Sequence, residues 1–148
     1  MKITVINGPN INFIGVREKE IYGSKCFEEI VADITQYGVK NGIDVEVKQS
    51  NHEGVLIDWV QEAYYNKVDG IIINAGGYTH TSIALMDALK AIAPIPIIEV
   101  HLSDISKREA FRQHSYVSLA STKQICGFGA EGYLMAIDEI IKCAREQA

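Results

Sequence analysis

Short apolar runs alternate with segments of helical period along the whole chain, and that alternation leaves few folds open. Ile3 to Ile6 is an apolar run closed by Asn7-Gly8-Pro9-Asn10, a turn signal. Phe27, Ile30, Val31 and Ile34 then recur at helical spacing, with Gly42 just past the expected helix end. Asp44 to Lys48 alternates polar and apolar residues, as a half-exposed edge strand does. Leu56, Trp59, Val60 and Ala63 mark one face of a second helix, and Gly70 to Ile73 is a fully apolar strand. A third helix starts near Thr81, carries Leu85, Ala88, Leu89 and Ile92 as its stripe, and is ended by Pro94. Pro96 to Val100 reads as another buried strand and Tyr116 to Leu119 as a weaker one. Leu134, Ile137, Ile140 and Ile141 stripe a last helix.

Strands that alternate with helices must be joined by crossovers, which makes them parallel. The apolar strands belong in the centre of the sheet and the alternating one at its edge. The expected fold is therefore α/β: a flavodoxin-like three-layer arrangement with a five-stranded parallel sheet in the order 2-1-3-4-5. The 148 residues contain no linker, repeat or low-complexity segment, which predicts one domain over 1–148. MKITVING runs straight into a strand, and no apolar run approaches about 18 residues, so a cytoplasmic chain without a membrane contact is expected. Net charge is −5 and Lys and Arg form no run, which argues against a nucleic-acid partner. Three scattered cysteines, Cys26, Cys126 and Cys143, fit neither a disulfide framework nor a zinc site.

On such a sheet, ligands bind beyond the carboxyl ends of the strands. The out-of-place polar residues collect there. Asn7, Asn10, Asn12, Arg17 and Tyr22 follow the first strand, and Ser50-Asn51-His52-Glu53 follow the second. Asn74 to His80 follow the third; Glu99, His101 and Ser103, then Arg108 and Arg112, belong to the fourth. Each group also has an ordinary explanation. Asn7 to Asn10 is compatible with a plain turn. Ser50 to Glu53 reads as a helix start, with Ser50 or Asn51 as the cap. Gly76-Gly77 either turns the chain or lets backbone approach a ligand, and it matches no nucleotide motif. Arg108 and Arg112 suit a solvated face or an anion site. Cys126 reads as a small core residue.

Glu99 and His101 are two apart on a strand and so share a face. A carboxylate beside an imidazole fixes its tautomer and favours its protonated form, which suits a general acid or base. His80 has no such partner and reads as a hydrogen-bonder to a substrate; His52 and His114 read as structural or surface residues. Four scattered histidines lack metal-ligand spacing, so no metal is expected.

These residues carry a resemblance. Asn7-Gly8-Pro9-Asn10 with Gly15-x-Arg17-Glu18 and Tyr22-Gly23 resembles the opening of the type II 3-dehydroquinate dehydratases. Gln49 to Gly54 is similar to that family's second motif, Asn74 to Ser82 with Asp87 to its third, and Glu99 to Ser103 with Arg108-Glu109-x-Phe111-Arg112 to its fourth. Gly127-Phe128-Gly129-x-x-Gly132-Tyr133 looks like its last. The resemblance runs through essentially the whole chain in order. It implies dehydration of 3-dehydroquinate to 3-dehydroshikimate, a shikimate-pathway step, by anti elimination through an enolate and without cofactor, metal or Schiff-base lysine. By the resemblance, Tyr22 is the base, Arg17 on the lid is essential, Asn10 holds a water against the enolate oxygen, and His101 is the acid. Asn74, His80 and Arg112 would bind substrate hydroxyls, while Leu102 and Ser103 would hold the carboxylate. Arg108 and Glu99 would tune and orient. Asp87 would reach a neighbour's site in a homododecamer built of trimers.

The chain departs from the family pattern at Asp104, where Asn is usual; repulsion of the bound carboxylate is avoided if the side chain points away or finds a cation. Asn74-Ala75-Gly76-Gly77 replaces the commoner Asn-Pro-Gly-Ala, and Lys19 stands in the lid where Pro is frequent. The main alternative is a non-catalytic flavodoxin-like binding module, which would carry a phosphate cradle or an acidic cluster after the first strand. Another lyase or hydrolase built on His101, Glu99 and Ser103 is a further one, although Ser103 sits in no Gly-x-Ser-x-Gly elbow.

Overall fold

The computed structural model describes residues 1–16 and 25–148. Five parallel strands, β1 (Lys2–Asn7), β2 (Asp44–Gln49), β3 (Gly70–Asn74), β4 (Ile97–His101) and β5 (Lys123–Cys126), form one sheet in the order β2-β1-β3-β4-β5. Four α-helices connect and cover it: α1 (Phe27–Lys40), α2 (Glu53–Tyr65), α3 (Ile83–Ala91) and α4 (Glu131–Gln147). The expected topology is the observed one.

The period-two geometry of strands divides the core. Ile72, Ile98 and Val100 join Ile30 and Ile34 of α1 and Ile137 and Ile140 of α4 on one face. Ile71, Ile73 and Ile97 join Leu56 and Val60 of α2 and Leu85 and Leu89 of α3 on the other. Every residue of β3 and β4 is buried, which explains why those strands are the most continuously apolar. The β2 strand is an edge, partly exposed along its length. The α3 helix opens at Ser82, whose hydroxyl accepts from the Leu85 amide at 2.9 Å. The buried face of α4 is centred on Tyr133, Ala136, Ile137 and Ile140, with Leu134 and Ile141 at its margin.

One strand assignment is corrected. Val117–Ala120 is a short 3₁₀ turn, and the fifth strand is Lys123–Cys126. Among the described residues this strand pairs only with β4, and Lys123 and Gln124 are exposed, so its Lys-Gln-Ile-Cys sequence carries almost no apolar signal. Val117, by contrast, is a core residue supplied from a turn.

The loops after β1 and β3 are packed backbone to backbone. The Gly8 amide donates to the Asn74 carbonyl at 2.8 Å. A methyl group on Gly8 would lie 2.2 Å from the Ala75 carbonyl oxygen, and one on Gly76, which has φ +59°, would lie 2.9 Å from that of Pro9. Gly8→Ala is therefore expected to destabilise the fold by roughly 2–3 kcal/mol, lowering the midpoint of thermal unfolding by about 5–10 °C in calorimetry. An unchanged midpoint would mean that the two loops separate at no cost.

Candidate active site

Three strand ends converge on a cavity of about 170 Å³. Asn10 lines it from the loop after β1, and Asn74, Gly77 and His80 line it from the segment after β3. His101, Leu102 and Ser103 contribute from the end of β4, and Arg108 and Arg112 from the turns that follow. Glu99 stands behind His101. Asp87 is exposed on α3, outside the cavity lining. Arg17 and Tyr22 lie outside the described residues.

His101 and Glu99 do share a face. The ring Nε2 is 2.9 Å from the Glu99 carboxylate. That carboxylate is fully buried and also accepts from the Ser115 hydroxyl at 2.7 Å, the Ser118 hydroxyl at 2.7 Å and the Gln124 amide at 3.0 Å. Burial by itself would raise its pKa. The hydrogen bond and charge of His101, with the Ser118 and Gln124 donors, outweigh burial and hold the group below the usual carboxylate range. An ionised carboxylate only accepts, so Nε2 carries the hydrogen and Nδ1 is the ring nitrogen left to exchange a proton.

His80 has a partner that its sequence context did not indicate. Its Nδ1 donates to the His114 carbonyl at 2.6 Å, so the neutral ring has Nε2 as an acceptor. Burial lowers its pKa, and the nearby His101 and Arg112 lower it further, against the raising effect of the His114 carbonyl and Glu99. His80 is thus held neutral near pH 7. The Arg112 Nε lies 3.0 Å from the Glu109 carboxylate, and its guanidinium carbon stands 5.3 Å from the centre of the Phe111 ring. Arg108 reaches the Ser103 hydroxyl at 3.3 Å and pairs with Glu109 at 3.7 Å. Two guanidinium groups therefore border a cavity in a chain of net charge −5, a local reversal of sign that suits an anion.

Asn10 adopts the left-handed conformation, with φ 67°. Its backbone amide donates to the Asn51 side-chain oxygen at 3.1 Å, and Gln49 ties the same oxygen to the Gly8 carbonyl through contacts of 3.2 and 3.1 Å. This corrects the cap expected from Ser50 or Asn51. The α2 helix starts from His52 without a side-chain cap, because the Asn51 oxygen is turned to the first loop and the Ser50 hydroxyl accepts from the His52 amide. Gly76 is explained by its left-handed turn against Pro9, and it lines the cavity together with Gly77.

Asp104 finds partners of its own. It accepts from the Ser106 amide and hydroxyl at 3.0 and 2.6 Å, lies 3.9 Å from the Lys107 ammonium, and does not line the cavity. Cys126 is half-buried on β5; burial, with the Glu99 charge, pushes its thiol up to about 11, so it is no nucleophile near neutral pH. Among the described residues, no group of three or more His, Cys, Asp or Glu is placed to hold a metal ion, and no helix is long and apolar enough to cross a membrane.

Several contributors carried no sequence signal. Ser115, Ser118 and Gln124 enclose Glu99 from segments far away in sequence. Gln49 stood only in the second family motif and Asn51 read as a helix cap, so their ties to the loop after β1 were not indicated. Tyr133 stood in the last family motif, which gave no hint of its hydrogen-bond partners Asn7 and Asn74.

A family model described as dehydroquinase class II matches residues 1–141. A 3-dehydroquinate dehydratase of Lachnospira eligens is 51% identical over 99% of this chain and 100% of its own. One from Clostridium acetobutylicum is 58% identical over 93% of this chain and 94% of its own. The crystal structure of a type II dehydroquinase from Butyrivibrio crossotus superposes with a TM-score of 0.94 at 52% identity, covering 95% of this chain and 97% of that one.

Proposed function

The chain belongs to the class II dehydroquinases and is a hydro-lyase, and from that premise we propose that it removes water from 3-dehydroquinate to give 3-dehydroshikimate through an enolate. The observation that carries the mechanism is the His101–Glu99 pair, set at the wall of a cavity bordered by two guanidinium groups.

Elimination needs a base on one side of the substrate ring and an acid on the other. The proton beside the ketone is acidic because its loss gives an enolate. Tyr22 as phenolate takes that proton, and Arg17 and Arg108 supply the positive charge that keeps the phenol ionised. Asn10 holds a water against the enolate oxygen, where negative charge develops. As the enolate collapses, the carbon–oxygen bond to the departing hydroxyl breaks. His101 gives it the proton from Nδ1 and water leaves. The Glu99 carboxylate on Nε2 stabilises the imidazolium before that transfer. The proton taken by Tyr22 and the one lost by His101 balance over the turnover.

The remaining groups position the ring. Ser103 and the Leu102 backbone hold the carboxylate, with Arg108 close by. Asn74, the neutral His80 and Arg112 bind hydroxyls. The exposed position of Asp87 on α3 suits a contact with a second copy, in an assembly of trimers grouped as a dodecamer. A cytoplasmic location accords with this metabolic role.

The test is to add 3-dehydroquinate to the purified protein and follow the absorbance of the conjugated product. Steady turnover is expected, and borohydride added with substrate should leave it intact because no imine forms. A folded protein with no turnover would refute the reading.

A further inference from the structure

Tyr133 is the bulkiest fully buried residue among those described, and the mechanism above leaves it without a task. Its hydroxyl lies inside a chain of hydrogen bonds that crosses three strand ends. The Asn7 amide nitrogen donates to the Lys48 carbonyl at 3.2 Å. The Tyr133 hydroxyl donates to the Asn7 side-chain oxygen at 2.6 Å and accepts from the Asn74 amide nitrogen at 3.0 Å. The Asn74 side-chain oxygen accepts from the Gly76 amide at 3.3 Å.

The two ends of this chain are backbone groups, and each has one possible role. The Lys48 carbonyl can only accept and the Gly76 amide can only donate. Turning over the Asn7 amide would set oxygen against oxygen at Lys48. Turning over the Asn74 amide would set nitrogen against nitrogen at Gly76. The polarity of the whole chain is therefore single-valued, and the Tyr133 hydroxyl is the link that passes it between the asparagines. Burial pushes the Tyr133 phenol far up, against the smaller lowering effect of Asn74, so it remains a donor at any pH at which the protein works.

We propose that Tyr133 is a positioning residue that locks the Asn74 amide with one N–H toward the cavity, so that the ligand oxygen met there must be an acceptor. Asn74 has two amide hydrogens. Tyr133 takes one, and the other belongs to the cavity that Asn74 lines. The neighbouring His80 has the opposite character, with Nε2 as an acceptor. A substrate hydroxyl lying between them accepts from Asn74 and donates to His80, which fixes the direction of its O–H bond. A ligand that carries a donor without a lone pair at that point is rejected, because two N–H groups would meet.

The inference rests on the proposed reaction for the identity of the substrate, and its test keeps the two apart. In the unmutated protein without substrate, nuclear magnetic resonance should show the Tyr133 hydroxyl proton as a slowly exchanging signal with cross-peaks to the Asn74 side-chain amide. Absence of that signal would overturn the proposal whether or not the protein turns over 3-dehydroquinate. In kinetics, Tyr133→Phe should raise KM for 3-dehydroquinate about tenfold, the effect of one hydrogen bond to substrate, with kcat nearly unchanged. The same substitution in an Asn74→Ala background should add almost nothing, because Tyr133 acts through Asn74. An equal rise in KM in both backgrounds would show a general structural role and refute the assignment.

Discussion

His101→Gln is expected to lower kcat by a factor of about 10²–10⁴, the usual contribution of a positioned acid–base group, while the protein keeps its fold. Glutamine is chosen because its side-chain amide can still donate to Glu99. That carboxylate is fully buried, and leaving it a donor short would confuse loss of catalysis with loss of stability. Even without His101, the Ser115, Ser118 and Gln124 donors would remain on it. What glutamine cannot do is hold a labile proton and deliver it to a departing hydroxyl. Turnover and thermal unfolding should be measured on one preparation. A large loss of kcat with a nearly unchanged unfolding midpoint is the expected pair of results. Turnover near the unmutated level would assign the acid elsewhere.

Tyr22→Phe is expected to have an effect at least as large, again about 10²–10⁴ in kcat, because it removes the proposed base. A phenol of ordinary pKa, about 10, is only about one-thousandth ionised at pH 7. An opposite charge within a few ångströms shifts a pKa by about 1–3 units, and in the proposed mechanism that charge comes from Arg17 and Arg108. Arg108 lines the cavity and reaches the Ser103 hydroxyl, so its charge is held beside the ring that Tyr22 is proposed to attack. The direction with pH follows. The base works only as phenolate, so kcat/KM should fall as pH drops below the phenol pKa in the unmutated enzyme. The phenylalanine variant should lose that dependence along with its rate. Near-normal turnover in Tyr22→Phe would show that another group removes the proton.

The strand order, the helix stripes and the buried strands were legible because each depends on burial, and burial leaves a period in the sequence. Ile71, Ile72 and Ile73 are apolar because both faces of β3 are covered. The β5 strand was misplaced for the same reason in reverse. It is an edge, its burial is partial, and its pattern is correspondingly weak. Glu99 and His101 were legible as a pair because two residues on one strand share a face whatever surrounds them.

The loop after β1 shows where that legibility stops. Asn10 was singled out by its place after an apolar strand, but its left-handed backbone is held by Asn51, 41 positions along the chain. Ser115, Ser118 and Gln124 around Glu99, and Tyr133 between Asn7 and Asn74, are of the same kind. By itself the sequence determined the layers, the register of apolar faces and the strand ends at which polar side chains would meet, since these follow from local periodicity and the burial of apolar surface. Only the tertiary structure decided which donor faces which acceptor inside the cavity. Hydrogen bonds are directional over about 3 Å, and their partners here come from elements that no local pattern connects.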